Sequence, residues 1–91
     1  MSRIKKRRHC LAKVSGQVFK PAGIPRTQLE ELHLFQDELE TLRLCDLEGL
    51  TQEQAGEKMG VSRGTVQRIL TSARRKCAET LVKNYCLVFK N

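Results

Sequence analysis

The chain has 91 residues and carries 17 Lys and Arg against 10 Asp and Glu, which gives a net charge of +7 and a strongly basic protein. A chain this short favours one domain, residues 1–91, and leaves little room for a deep catalytic cleft, so its length argues against an enzyme. With 40% hydrophobic residues it is too apolar to be wholly disordered, and it lacks the roughly 18-residue apolar run that spans a bilayer.

The first zone of the chain, up to about residue 25, begins with a basic arm over residues 1–8. It has neither the continuous apolar segment nor the small-residue cleavage site of a secretory signal, which predicts a cytoplasmic protein. Two β-prone pieces follow, over residues 10–14 and 17–20. Pro21, Gly23 and Pro25 then stop any regular element, because proline lacks a donor and restricts the residue before it.

The middle zone, residues 27–84, places its apolar residues at helical spacing. A short helix is predicted over residues 27–32. A longer one is predicted over residues 36–47, where Leu39, Leu42 and Cys45 share one face.

Two further helices follow, joined by a tight turn. Thr51 begins the first with a capping box to Gln54, and Gly60 ends it as a residue that tolerates positive φ. Ser62 caps the second helix, which is expected to reach about Lys83. The apolar stripe of this last helix repeats every three to four positions, at Val66, Ile69, Ala73, Cys77 and Leu81.

The last zone, residues 85–90, is β-prone and can pair with the N-terminal pieces as a small sheet. The predicted fold is therefore mainly α. It has three or four helices, with short β-prone segments at both ends that can pair.

The two helices around Gly60 are predicted to form a helix-turn-helix unit, within a core of residues 36–83. Small Gly56 is expected where they approach most closely. Polar side chains on the opposite face of the second helix suit base edges in the major groove, and they are Arg63, Thr65, Gln67 and Arg68. Phosphate contacts are expected from the arm and the helix ends, at Arg3, Lys5, Lys6, Arg7, Arg8, Thr51, Gln52, Ser62, Thr71, Arg74, Arg75 and Lys76. The plainer interpretation is a solvated helix face in an ordinary three-helix protein.

Several runs along this unit resemble region four of bacterial sigma factors, whose helix-turn-helix reads promoter DNA. They are DELE and LRL in residues 37–44, DLEGLTQE in 46–53, GVSR in 60–63 and SARRK in 72–76. Together with FKPAGIP in residues 19–25, preceded by Arg8 and Cys10, they make the chain similar to uncharacterised protein family 0251 (domain of unknown function 134), small bacterial and archaeal proteins predicted to bind DNA. The resemblance implies a core of three or four helices with a reader like that of sigma region four.

The chain departs from that pattern at three positions. Phe35 stands where related sequences usually cap the first long helix with Ser or Thr, and Gly56 stands where alanine is usual. Gly64 falls in the first turn of the reader helix. Each interior glycine costs a helix about 1 kcal/mol relative to alanine.

Nothing in the chain resembles the promoter-melting region of a sigma factor, so a freestanding transcriptional regulator that binds double-stranded DNA is the favoured interpretation. Such proteins commonly bind as homodimers to half-sites about one helical turn apart. The β-prone tail and the cluster Leu29, Leu32, Leu34 and Phe35 are candidate dimer surfaces, although both suit a core better. A contact with RNA polymerase is compatible with the resemblance, but no residue identifies it.

No cofactor and no metal are predicted. Cys45 and Cys77 lie on the apolar stripes and are expected to be small core residues. If the termini pair, His9 and Cys10 could meet Cys86 as a metal or redox site. Their spacing is unlike that of zinc ligands, and free thiols are the simpler expectation.

Two other classes of function compete with sequence reading. The basic arm could bind RNA or phosphate backbones without reading sequence. Against this, only four residues are aromatic, and none is interleaved with basic residues as a stacking platform. An enzyme is the weakest hypothesis, because no Ser-His-Asp arrangement, phosphate-binding glycine loop or pair of metal ligands is visible.

Overall fold

The computed structural model describes residues 17–91, and this part of the chain is mainly helical, with three helices and one small sheet of three strands. In chain order the elements are β1 (Val18–Phe19), a single 3-10 turn (Arg26–Gln28), β2 (Glu31–Phe35), α1 (Gln36–Thr41), α2 (Gln52–Met59), α3 (Arg63–Lys83) and β3 (Cys86–Lys90). No helix within residues 17–91 has both the length and the apolar composition needed to cross a membrane.

β3 is the central strand of the sheet. It runs antiparallel to β1, with Val18 opposite Val88, and parallel to β2, with Leu34 opposite Phe89. All of β3 except Lys90 is buried, which matches the continuous apolar run of the strand. The prediction that the tail pairs with an N-terminal piece is confirmed for residues 17–20, whereas the piece at residues 10–14 lies outside the described residues.

β2 takes up the last two residues of the short helix that the sequence predicts over residues 27–32, and no α-helix forms over the others, so that prediction is wrong. Only one 3-10 turn forms there. Leu29 and Leu32 have helical spacing, but Leu32 and Leu34 also alternate with outward-facing neighbours, which is the period of a strand. Pairing along the whole of β3 decides between the two patterns, because it carries both Leu32 and Leu34 into the core against α3.

α1 continues without a break into π-helical turns over Leu42–Leu47, where the amide of Glu48 donates to the carbonyl oxygen of Arg43 at 2.9 Å. The two pieces together fill residues 36–47, as predicted. Arg43 bridges Glu40 and Glu48 across the wider turns. Phe35 offers no side-chain cap to α1, and Glu38 instead accepts a hydrogen bond from the Phe35 amide at 2.9 Å.

α2 and α3 begin and end as predicted. Thr51 Oγ1 accepts a hydrogen bond from the amide of Gln54 at 3.1 Å, and the Gln54 side chain accepts one from the Thr51 amide at 2.9 Å. Gly60 ends α2 at a φ of +74°, in the left-handed region that favours glycine. Ser62 Oγ accepts a hydrogen bond from the amide of Thr65 at 3.2 Å and caps α3, which ends at Lys83.

Two apolar clusters hold the elements together. The first joins the sheet to α3 and consists of Leu34, Ala73, Leu87 and Phe89. The second joins α2, α3 and the π-helical turns and consists of Leu44, Ala55 and Val66. Cys77 packs against the first cluster and Cys45 against the second, and both are half-buried, so they lie at the edge of the core in which the sequence places them.

The apolar stripe predicted for α3 is correct except at its last position. Val66 and Ala73 are buried, and Leu70, which the stripe omits, is buried with them. Leu81 is 79% exposed, because the inward positions continue from Cys77 to Thr80 and Leu81 lies about 100° further around the helix.

Both candidate dimer surfaces belong mainly to the core. The tail forms the central strand, and Leu34 is 2% exposed. Leu29 and Leu32 are half-buried. Only Phe35 of that cluster is exposed, and its ring centroid lies 4.8 Å from Lys76 Nζ. Neither surface therefore offers a broad apolar face to a second copy.

Candidate nucleic-acid interface

The turn between α2 and α3 consists of three residues, Gly60, Val61 and Ser62, so the start of α3 lies close against α2. A Cβ atom at Gly56 would lie 2.6 Å from the carbonyl oxygen of Val61 and 3.5 Å from Cγ2 of Val66. The close approach predicted at Gly56 is therefore confirmed. A larger residue at this position would push the turn away from α2.

The first turn of α3 carries a connected set of polar side chains. Ser62 Oγ lies 3.0 Å from Thr65 Oγ1, which accepts a hydrogen bond from Arg68 Nη2 at 3.2 Å. The Arg68 side chain thus runs back along the helix toward its N-terminus, the direction that helical side chains prefer. Gly64 leaves room for it, since a Cβ atom there would lie 3.9 Å from Arg68 Nη1. Thr65 thus orients the guanidinium of Arg68, and its contact with a base stays a prediction.

Four side chains in the first turns of α3 are exposed, and we call them the α3 polar face: Arg63, Gln67, Arg68 and Thr71. Positions 63, 67 and 71 follow one another at a spacing of one helical turn, and Arg68 lies beside them. None of the ion pairs found within residues 17–91 involves Arg63 or Arg68. Both arginines can therefore meet an incoming acceptor without first leaving a carboxylate of this part of the chain.

Further along α3, Arg74 and Arg75 differ in how closely they are paired with an acidic side chain. Arg74 makes a two-pronged contact with Asp46, through Nη2 at 2.6 Å and Nε at 3.0 Å, and this hydrogen bonding lowers the pKa of Asp46. Arg75 is 79% exposed and lies 4.0 Å from Glu79. Of these two residues predicted to contact phosphate, Arg75 is the more available.

Lys76 does not belong to the exposed surface that the sequence assigns to phosphate. Its ammonium donates to Glu38 Oε1 at 2.8 Å and to the carbonyl oxygen of His33 at 2.7 Å, between α3, β2 and α1. Burial alone would raise the pKa of Glu38, but hydrogen bonds from Lys76, the Phe35 amide and Ser72 outweigh it, and the pKa is lowered. The charge of Lys76 is thus used to fix α3 against α1 and β2, and its contact with phosphate stays a prediction.

The other predicted phosphate contacts stay predictions. Thr51 at the start of α2 is exposed, but its hydroxyl already serves as the helix cap, and Gln52 beside it is half-buried. Ser62 caps α3 in the same way. The arm residues Arg3, Lys5, Lys6, Arg7 and Arg8 lie outside the described residues.

The positive charge is unevenly spread along the chain. Six of the 17 Lys and Arg and none of the 10 Asp and Glu fall within residues 1–16, so residues 17–91 are close to neutral. Sequence reasoning also missed Glu53 and Glu57 of α2, which line a shallow groove beside the turn together with Arg63. Their spacing of one helical turn was the available signal. Arg63 therefore lies near two carboxylates, whereas Gln67 and Arg68 do not line this groove.

No metal centre is formed by the part of the chain that the structure describes, since no three of its His, Cys, Asp and Glu side chains are placed to share an ion. Cys86 is fully buried in the central strand. The two possible partners of Cys86 named above, His9 and Cys10, lie outside the described residues.

The whole chain matches the model of one protein family. The model described as "Protein of unknown function DUF134" matches residues 1–91. The UPF0251 protein VPA0321 of Vibrio parahaemolyticus is 46% identical over 91 residues, which cover 100% of this chain and 95% of that protein. No solved structure matches the chain.

Two further relatives are longer. The UPF0251 protein of Desulforudis audaxviator is 62% identical over 64 residues, which are 70% of this chain and 42% of that protein. That of Halothermothrix orenii is 53% identical over 72 residues, which are 79% of this chain and 53% of that protein. The aligned part of the chain thus spans about half the length of these two relatives. Because the family model matches the whole chain and the Vibrio parahaemolyticus relative aligns with it from end to end, the chain belongs to the DUF134 family, whose members named here are UPF0251 proteins.

Proposed function

We propose that this protein binds double-stranded DNA and reads its sequence with the first two turns of α3, as a small transcriptional regulator. The observation that carries the proposal is the α3 polar face, in which Arg63 and Arg68 are exposed and form no ion pair within residues 17–91. In helix-turn-helix readers, the N-terminal part of the second helix enters the major groove. Arginine pairs with guanine through two hydrogen bonds and glutamine with adenine, so Arg63, Gln67 and Arg68 suit base edges.

The hydrogen bond from Arg68 to Thr65 supports the same assignment. A guanidinium already held at the start of the helix loses less side-chain freedom when it meets guanine than a freely rotating one does. Thr65 is anchored in turn by Ser62, which caps the helix. These hydrogen bonds hold the Arg68 guanidinium near the cap of α3.

Contacts to phosphate would position the reader on the duplex. Arg75 is exposed on α3 beyond the α3 polar face, where a helix lying in the groove begins to leave it. The basic arm would add phosphate contacts that carry no sequence information. Arg74 would contribute less, because Asp46 already neutralises it.

A second candidate is binding to any nucleic acid through the arm alone. It is favoured by one observation, the concentration of six basic residues and no acidic residue within residues 1–16. Binding of this kind depends on backbone charge and falls steeply with salt. Binding through the arm alone needs no contact between α3 and the nucleic acid.

Selection of bound duplexes from a random library separates the two candidates. Sequence reading predicts an enriched motif, and duplexes that carry the motif should compete far better than scrambled duplexes of equal length. If no motif is enriched, and single strands and structured RNA compete as well as duplex DNA, the reader assignment is wrong and the arm explains the binding.

A further inference from the structure

We propose that Asp46 limits how tightly this protein binds the DNA backbone, because it occupies Arg74 in place of a phosphate. The carboxylate of Asp46 accepts hydrogen bonds from Arg74 Nη2 at 2.6 Å and from Arg74 Nε at 3.0 Å. Arginine binds phosphate through the same two-pronged arrangement. A phosphate that needs these donors therefore has to displace Asp46. This role of Asp46 rests on the proposed DNA-binding function.

The position of Arg74 on α3 suits a contact with phosphate. From Arg63 to Arg74 the helix makes about three full turns, so the two side chains leave the same side of α3. The distance between them along the helix axis is about 16 Å. When Arg63 lies among base edges, a residue this far along the helix has passed the major groove, which is about 12 Å wide, and meets the phosphates that border it.

The pair formed by Arg74 and Asp46 is unlike the pair that holds α3 against α1. The side chains of Lys76 and Glu38 are 22% and 8% exposed, whereas those of Arg74 and Asp46 are 57% and 38% exposed. An exposed ion pair contributes little to stability, because water screens both charges. The larger effect of Asp46 is on the charge that the protein presents to DNA, since it neutralises one of the four arginines of α3.

The expected effect of Asp46 on DNA is the loss of one backbone contact. Such a contact strengthens binding to every sequence alike and carries no sequence information. It also adds about 0.9 to the slope of log affinity against log salt, which corresponds to about three- to tenfold in affinity at about 50 mM salt. Asp46 therefore lowers the affinity for unrelated DNA without touching the side chains that suit base edges.

Titration of the full chain with a duplex of scrambled sequence, across a salt series, tests this role. Asp46→Asn keeps the size of the side chain and removes its charge. It should raise the affinity about three- to tenfold at about 50 mM salt and steepen the salt dependence by up to about 0.9. Glu48→Gln is the matched control, because Glu48 is 42% exposed and pairs with Arg43 rather than with α3. It makes the same change in net charge and should alter the affinity much less.

A second substitution, Arg74→Ala, decides whether Asp46 acts through Arg74. In the double variant Asp46→Asn with Arg74→Ala, the gain in affinity should disappear and the salt dependence should return to that of the wild type. A gain that persists in the double variant would mean that the carboxylate repels DNA by its own charge, and it overturns the proposal. Asp46→Asn that binds no more tightly than the wild type overturns it as well, because the pair then has only a structural role.

Selection of bound duplexes from a random library, made with the same proteins, separates this proposal from the proposed function. A wild type that enriches a motif while Asp46→Asn gains no affinity leaves sequence reading intact and excludes the role of Asp46. A wild type that enriches no motif while Asp46→Asn still gains affinity through Arg74 contradicts sequence reading and supports the role of Asp46. If neither protein binds any duplex, both proposals are wrong.

Discussion

The ammonium nitrogen of Lys76 lies 2.8 Å from Oε1 of Glu38, and this pair ties the middle of α3 to the first turn of α1. Glu38 is 6% exposed, and its other carboxylate oxygen accepts a hydrogen bond from Ser72 Oγ at 2.6 Å. Removing one partner of a buried pair is costly, because the other charge is left without compensation. The contact therefore fixes where α3 lies against α1.

We predict that Glu38→Gln lowers the free energy of unfolding by about 2 to 3 kcal/mol at pH 7. Because folding lowers the pKa of Glu38, its stabilising contribution is complete above the unfolded pKa and is lost as the pH falls through the folded pKa. Denaturant unfolding should be measured from pH 7 to below 4.5, the ordinary pKa of a glutamate side chain. The difference in the free energy of unfolding between wild type and variant should become smaller as the pH falls. Glu53→Gln is the control, since Glu53 is exposed and forms no ion pair within residues 17–91. A gap that stays constant across this range would contradict the prediction.

Gly60 holds a left-handed φ of +74°, and Gly60→Val should destabilise the protein by about 1 to 3 kcal/mol. No other atom would meet the added Cβ, so the cost comes from the backbone conformation alone. Gly60→Asn is the matched variant, because asparagine adopts this conformation more readily, and it should be destabilised less. Thermal melting of the three proteins measures the difference. An unchanged melting temperature for the valine variant would refute the assigned conformation.

Gly56 and Gly64 both lie inside helices, yet we expect alanine to have opposite effects at the two positions. At Gly64 nothing lies closer than 3.9 Å to an added Cβ, so Gly64→Ala should stabilise the protein by up to about 1 kcal/mol through the higher helix propensity of alanine. At Gly56 the Cβ would lie 2.6 Å from the Val61 carbonyl oxygen, so the turn has to move. This movement should destabilise the protein by more than the higher helix propensity of alanine stabilises it. Chemical denaturation reports both values. If both alanine variants changed the stability in the same direction, α3 would approach α2 less closely than the 2.6 Å distance at Gly56 indicates.

Arg68→Ala should weaken binding to the preferred duplex by about 1 to 3 kcal/mol and reduce the preference for one base pair at the contacted position. It should change binding to scrambled duplex much less. Arg75→Ala is the matched control on the same helix, since removing a phosphate-binding side chain should weaken both duplexes equally. Titration of the two variants on the two duplexes measures these effects. The same uniform weakening for both variants would show that α3 is only a basic surface.

Deletion of residues 1–8 should weaken binding to all duplexes alike. It should also flatten the dependence of log affinity on log salt by about 0.9 for each phosphate that the arm neutralises in the full chain. A salt series on one preferred and one scrambled duplex measures both effects. A weakening confined to the preferred duplex would instead assign sequence reading to the arm.

Local signals in the sequence were sufficient for the helix ends. Thr51 and Gln54, Gly60 and Ser62 act on backbone groups within a few residues of themselves, so their effect can be predicted without knowing the fold. The same holds for the close approach at Gly56, which follows from a turn of three residues.

Features that depend on distant partners could not be predicted in this way. Residues 31–35 become a strand because β3 pairs with them, and neither segment specifies that pairing alone. Lys76 resembles its basic neighbours in the sequence and differs from them only because Glu38, 38 residues away, lies beneath it. Leu81 fits a helical stripe, but the elements that cover α3 do not reach it.

The central position of β3 in the sheet determines the order in which the chain can fold. The contacts between α2 and α3 are local, whereas β3 closes a loop of some 50 residues onto β2, and contacts of that kind form slowly. On the ribosome, Leu34, Ala73 and Cys77 thus remain without their covering strand until Cys86–Lys90 has been made. A nascent chain that stalls before Cys86 would hold a helical unit with one apolar side open to chaperones. Pairing of β3 with β2 ends that exposure.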